Sequence, residues 1–290
     1  MGLLPITGWA SEENGNIAAV CPYTLPLDAH PAAAAYSFRV LAADWIKNNL
    51  VKLRRSSDSA TKIFTASAQT CGIDTHDPFF DGSTYTLQTW YDQSGHNADV
   101  RALSESAEPI VSLGCLNGQP CGVYNGVDRY LTGTLSSAVG PDTFAAVANL
   151  ASDAGGKYIA LIGTIYANDT SINFSHSSKA CVSLRWGNKI PSKEAIPCKV
   201  NNWYRWIATQ NSVLSSVYLN GVAGSNDTVG NTESHASLTL IPSTAFYIGE
   251  SSDFANRWQG EIAELIVFSP DLSRADSDAV STNQGNYWGL

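Results

Sequence analysis

The sequence predicts an all-β protein, one antiparallel two-sheet sandwich with short helices. Three observations lead there. From Thr143 onward, short apolar or alternating runs follow one another with turn residues between them. Hydrophobic residues make up 44% of the 290 residues and charged residues only 15%, ample for a large core and low against the usual quarter of charged residues. After about residue 85 no linker, repeat or low-complexity stretch divides the chain, which favours a single body over two domains.

Taken in order, residues 1–30 carry Pro5, Gly8, Gly15, Pro22 and Pro26 and read as an extended N-terminal arm, with residues 31–290 as the body. Pro31 suits a first helical turn and Ala32 to Ala35 are strong helix formers, so a short helix is expected there. It hands over to Tyr36-Ser37-Phe38-Arg39-Val40, five residues that fit helix and strand alike. Leu50 to Arg55 alternates into a turn at Ser56-Ser57-Asp58, and residues 59–82 look irregular. Ser83 to Gln88 is a strand that runs into Trp90-Tyr91-Asp92-Gln93-Ser94-Gly95, where Asp, Ser and Gly supply turn chemistry. A period of two puts Tyr91 on the face of Tyr85 and Leu87 and turns Trp90 the other way, one ring toward a core and one toward solvent or a cleft.

Pro109 to Ser112 and Gly122 to Tyr124 flank Asn117-Gly118, a hairpin signal. Strands are then expected at Phe144 to Leu150, Tyr158 to Ile165, Ser171 to Phe174, Val182 to Trp186, Trp203 to Gln210, Ser215 to Leu219, Ala236 to Leu240 and Phe246 to Gly249. Asn220-Gly221 marks a second hairpin. Glu261 to Phe268 is denser in apolar residues than strict alternation and belongs in the middle of its sheet. Asp271 to Val280 closes the pattern as a short polar helix.

A net charge of −9 argues against nucleic acid and anionic membranes as partners, since phosphate binding needs a basic footprint. No apolar run approaches the roughly 20 residues of a membrane span. The first residues lack the basic and apolar regions of a secretory signal, so the chain is expected either to be kept in a cytoplasm or to have lost a signal before a start Met was added. The six cysteines, Cys21, Cys71, Cys115, Cys121, Cys181 and Cys198, are widely spaced without Cys-x-x-Cys, which argues against zinc. Cys115–Cys121 and Cys181–Cys198 are the nearest pairs; bridges and free buried thiols both stay open.

Several segments, in order, carry a resemblance: Ala35 to Leu41, Val51 to Asp58, Trp90 to Gly95, Gly118-Gln119-Pro120, Tyr124-Asn125-Gly126, Tyr130-Leu131, Leu219-Asn220-Gly221, Tyr247-Ile248-Gly249 and Gly260 to Phe268. Residues 32–290 resemble the concanavalin A-like, laminin-G-like jelly-roll domains of bacteriophage structural proteins. The resemblance implies a virion component, a capsid decoration or tail-fibre protein made in the host cytoplasm. Such a protein joins other virion proteins as an oligomer or on a lattice, and the arm at residues 1–30 is the expected attachment element. It also implies a lectin-like face for host-surface glycans and no chemistry; a free lectin on the same fold is an alternative.

The opening half also resembles the catalytic domain of B-type arabinofuranosidases, which implies a secreted glycoside hydrolase. In that family a Cys-Cys pair precedes an aromatic-Gly-Asn stretch and a catalytic Glu. Here Cys181-Val182-Ser183-Leu184-Arg185-Trp186-Gly187-Asn188-Lys189 has one Cys, and Lys189 stands where the carboxylate is wanted. Hydrolysis needs two carboxylates flanking the bond, so the departure speaks against an enzyme.

The carboxylates available to such a pair are Asp92, Glu194, Glu250, Asp253 and Glu264, and nothing in their spacing joins two of them. No Gly-x-Ser-x-Gly elbow supports a serine triad, so no catalytic residue is assigned. Sugar binding needs an aromatic platform beside amide and carboxylate groups. Trp90, Tyr91 and Asp92, then Trp186 and Asn188, then Trp203 after Asn201-Asn202, have that composition and are the expected glycan-binding residues. Core packing competes for Trp203, Tyr204 and Trp206. No cofactor is expected; Asp169, Asn226, Asp227 and Asp253 are loop oxygens open to calcium, in no recognisable calcium spacing.

Overall fold

The computed structural model describes residues 21, 24–67, 71–136, 140, 142–151, 157–163, 171–177, 180–186, 199–210, 214–219, 233–234, 245–250 and 256–290. In chain order its strands are β1 (Ala32–Ser37), β2 (Asn49–Arg55), β3 (Thr61–Thr65), β4 (Tyr85–Trp90), β5 (Val100–Arg101), β6 (Ile110–Leu116), β7 (Gln119–Asn125), β8 (Leu131–Thr134) and β9 (Asp142–Leu150). They continue as β10 (Lys157–Gly163), β11 (Ser171–Ser177), β12 (Ala180–Trp186), β13 (Trp203–Gln210), β14 (Leu214–Leu219), β15 (Glu233–Ser234), β16 (Ala245–Ile248) and β17 (Gln259–Phe268). Helices α1 (Pro26–Ala29) and α2 (Arg274–Trp288) flank them.

All pairings between these strands are antiparallel. In the first sheet β17 lies between β9 on one side and β1 and β7, end to end, on the other; β9 continues to β13, β14 and β15. The second sheet runs β3-β2-β4-β5-β8-β16-β10-β11-β12. The β6–β7 hairpin joins the two, because β6 pairs with the start of β4 and β7 with the start of β17. The expected all-β sandwich and the central place of β17 are what is found.

The core lies between the sheets. Phe144, Ala146, Ala148, Trp206, Ile262, Leu265 and Val267 from the first sheet meet Val51, Leu53, Leu87, Trp90, Leu131, Phe246 and Ile248 from the second. Each such apolar side chain contributes about 1.5–3 kcal/mol by leaving water. The hairpin is the expected one: Asn117 (φ 50°) and Gly118 (φ 76°) both take the left-handed region that its two-residue turn demands.

Four local expectations are corrected. Ala32 to Ala35 is strand, all six residues of β1 being buried; the helix comes earlier, at α1. Ala33, Ala34 and Tyr36 face the core, while Ala32 and Ala35 pack with Leu41, Ile266 and Val280, so burial on both faces overrides helix propensity. Residues 59–82 contain β3. The closing helix is longer than residues 271–280, with Ser273 as N-cap accepting from the Asp276 N–H at 3.2 Å and Gly289 (φ 71°) as C-cap. Its buried stripe is Ser277, Val280, Ser281, Gln284, Gly285 and Trp288, mostly polar or small, so its periodicity was faint. Finally, a bulge shifts β4 against β2: Lys52 opposes Thr89 but Leu53 opposes Leu87. Past that extra residue Trp90 joins Tyr85 and Leu87 in the core, and Tyr91 turns away.

Residues 21–30 are fastened to the body. Cys21 is bridged to Cys71 (Cα–Cα 5.5 Å), Leu27 N–H donates to Leu41 C=O, and Thr24 C=O accepts from Asn283. The hairpin bridge Cys115–Cys121 spans 5.8 Å between Cα atoms. Residues 1–20, the Cys181 and Cys198 side chains, the strand expected at Ala236 to Leu240 and the Asn220-Gly221 turn lie outside the described residues. No helix among the described residues is long and apolar enough to cross a membrane.

Candidate functional site

The Trp90-Tyr91-Asp92 motif is a structural clamp. Trp90 is fully buried, its ring 5.3 Å from that of Phe38 and 6.0 Å from that of Tyr36. It has no face to offer a sugar. Asp92 is buried too, and its carboxylate accepts from the Ala35 and Ser94 N–H groups, each at 2.9 Å, from Ser94 Oγ at 2.7 Å and from Ala98 N–H at 3.1 Å. Gln93 accepts from Leu41 N–H and donates to the Ser37 and Arg39 carbonyls. These contacts sew the turn to β1. Tyr91 is half-buried, its N–H donating to Leu50 C=O.

The other expected residues separate. Trp186 ends β12, with its side chain outside the described residues, as are Asn188, Glu194, Asp253 and the loop oxygens Asp169, Asn226 and Asp227. Trp203 opens β13, half-buried beside Val147 and Trp288 on the outer face of the first sheet. Glu264 is fully buried and grips Arg39 (Nε–Oε2 2.7 Å), with Ser37, Gln284 and Trp288 donating to the same carboxylate. That network pins α2 to the sheet. Among the described residues no three His, Cys, Asp or Glu side chains converge as a metal would need.

A different constellation forms on the outer face of the second sheet. On β8 and β16, Leu131, Phe246 and Ile248 point into the core, so Thr132 and Tyr247, paired across the strands, point out, with Tyr130 two residues before Thr132. Tyr158 packs on Tyr247 and bridges by backbone to Arg257. Behind them Glu250 is fully buried, and Arg257 Nε donates to both its oxygens at 2.9 Å. Arg257 remains one-quarter exposed and also donates to Val127 C=O. Burial first, then the Glu250 charge, pushes the Tyr130 hydroxyl above its usual range, so it stays a hydrogen-bond donor at neutral pH.

Gly249 aims this group. It sits at φ 80°, donates to Ile159 C=O and accepts from Trp258 N–H, both at 2.9 Å, and a Cβ there would lie 2.4 Å from the Tyr124 ring. The result is a partly exposed aromatic patch, Tyr130 and Tyr247, beside a guanidinium–carboxylate pair. Such a patch can stack on the C–H face of a sugar ring and hydrogen-bond its hydroxyls. Sequence reasoning weighed Glu250 and missed the tyrosines and Arg257. Their signal was Tyr130-Leu131-Thr132 and Tyr247-Ile248, tyrosines opposite core residues on short strands.

No family model matches the sequence, and no curated protein does. Among solved structures, an arabinofuranosidase complexed with arabinofuranosyl-α-1,2-xylobiose superposes with a TM-score of 0.70 at 16% identity, covering 91% of this chain and 64% of that one. A GH54 α-L-arabinofuranosidase soaked with a cyclic sulfate inhibitor gives 0.70, 16%, 91% and 65%. The chain therefore shares the β-sandwich fold of these proteins and spans somewhat under two thirds of their length.

Proposed function

We propose that this protein binds carbohydrate on the outer face of the second sheet, with Tyr130 and Tyr247 as the stacking platform and Arg257–Glu250 as the polar anchor. The observation that carries the reading is the half-buried Tyr247 next to a fully buried carboxylate whose arginine partner keeps a quarter of its side chain exposed. Neutral polysaccharides fit best, since the arginine is already paired and the protein carries a charge of −9. Affinity gel electrophoresis in arabinoxylan and other neutral polysaccharides tests this. Retarded migration that Tyr247→Ala reduces is expected; unretarded wild-type protein in every gel overturns it.

Hydrolysis is the second reading, favoured by Glu250, a buried carboxylate beside the patch, on a fold shared with arabinofuranosidases. Release of nitrophenol from 4-nitrophenyl α-L-arabinofuranoside, lost in Glu250→Gln, would establish it, and no turnover would leave binding alone. The Cys21–Cys71 and Cys115–Cys121 bridges fit a secreted protein or a released phage particle rather than a cytoplasmic one. On a particle, the same face would hold host-surface glycan, and immunogold labelling of virions distinguishes that setting from free secretion.

A further inference from the structure

The first sheet carries a second polar–aromatic row, on its own outer face. Cross-strand pairing places Glu261 of β17 opposite Asn149 of β9, and Asn149 opposite Trp203 of β13. Side chains paired in this way stand about 5 Å apart at Cβ. Asn149 is only 9% exposed, yet its Oδ1 has no hydrogen-bond partner, and Glu261 Oε2 is likewise buried and unpartnered. Two orphaned acceptors side by side leave their lost hydration uncompensated, and neighbouring backbone is already committed to the strands. Trp203 stands half-buried at the end of the row. Val123 pairs with Glu261 at the other end.

We propose that this row is a second carbohydrate subsite, in which two hydroxyls of one sugar ring donate to Asn149 Oδ1 and Glu261 Oε2 while the ring's C–H face rests on Trp203. The acceptors call for a ligand that brings donors, and the indole calls for one with an apolar side. A sugar has both on one ring. Burial raises the Glu261 carboxyl above its ordinary range, which favours neutral hydroxyls over a cation as its partner. The site is on the opposite sheet from Tyr130 and Tyr247 and independent of them, so the protein would grip a polysaccharide at two separated points, or cross-link two chains.

The test is made in two backgrounds so that each face is read alone. Calorimetric titration with arabinofuranosyl-xylobiose and a panel of neutral oligosaccharides compares wild type, Tyr247→Ala, Trp203→Ala and Asn149→Val. Two equivalents are expected in the wild type and one in Tyr247→Ala, and adding Trp203→Ala or Asn149→Val to Tyr247→Ala should abolish the remainder or weaken it at least tenfold. Asn149→Val removes an orphaned polar group from a strand, so its melting temperature should equal or exceed that of the wild type, which separates lost binding from lost folding. A single equivalent that vanishes in Tyr247→Ala overturns the second subsite and leaves the first intact. A single equivalent that survives Tyr247→Ala and is lost in Trp203→Ala supports this site and removes the other. Displacement of the oligosaccharide from Tyr247→Ala by arginine amide would mean a cation site and overturn the sugar assignment.

Discussion

Arg39 and Glu264 meet inside the protein as a two-point ion pair, Nε to Oε2 at 2.7 Å and Nη2 to Oε1 at 3.0 Å, with side chains 1% and 0% exposed. Glu264 sits on β17, opposite Ser37 of β1, and Arg39 lies two residues beyond the end of β1, stacking 4.7 Å from the Tyr287 ring centroid. One carboxylate thus holds the sheet edge and α2 together. Removing it strands a guanidinium where water cannot reach. Glu264→Gln should lower unfolding free energy by about 3–5 kcal/mol in urea titrations. A loss under about 1 kcal/mol would mean that the pair is not desolvated.

Asp142 sets a pH dependence. Burial pushes its carboxyl from 3.8 up to about 7, although the Gly140 N–H, 2.8 Å from Oδ1, pulls the other way. The folded chain therefore keeps a proton that the unfolded chain releases between pH 4 and pH 7. Stability contributed by this group falls as pH rises through that window and is level above it. Asp142→Asn should flatten that slope and be more stable than the wild type at pH 8. Urea midpoints at pH 4 to 8 check it, and parallel curves for the two proteins would refute it.

Much of the fold was legible because its signals are local. Asn117-Gly118 names its turn, and β13 was read to the residue from Trp203 to Gln210. What failed was whatever depends on a neighbour. The alanines of β1 look helical until β17 and α2 cover both their faces, and the phase of Trp90 depends on a bulge that only β2 reveals. The glycan-binding expectation failed at Trp90 and Asp92 for the same reason. A polar residue next to two aromatics looks identical in sequence whether it faces a ligand or four backbone and hydroxyl donors of its own protein. Trp203 kept an open flank, but its amide and carboxylate neighbours come from β9 and β17, not from Asn201 and Asn202.

Asp92 is accordingly predicted to matter for stability alone. Three of its four donors are backbone N–H groups, at least one on each oxygen, so Asp92→Asn would turn an NH2 group against an N–H that needs a partner. Hydrogen bonds to a charged group contribute about 1.5–3 kcal/mol each, and the variant should lose at least about 2 kcal/mol. Its affinity for carbohydrate, measured where it is still folded, should equal that of the wild type. Selective loss of binding with unchanged stability would restore the motif to the site.

Gly249→Ala tests whether the Glu250–Arg257 group is aimed by its backbone. The left-handed φ of 80° costs an alanine about 1 kcal/mol, and the methyl would press on the buried Tyr124 ring, 2.4 Å away at Cδ1. Tyr124 is held in the core and cannot retreat, so the strain should move the end of β16, which carries Glu250 away from Arg257 and tilts Tyr247. Binding of neutral polysaccharide at the Tyr247 face should weaken at least tenfold, while the ion pair of Arg39 with Glu264, on the other sheet, keeps α2 in place. Hydrogen exchange separates the two effects: amides near Ile248 and Trp258 should lose protection, and those of α2 should not. If α2 also loosens, the substitution has unsettled the whole sandwich, and weaker binding then says nothing about how Gly249 aims the site.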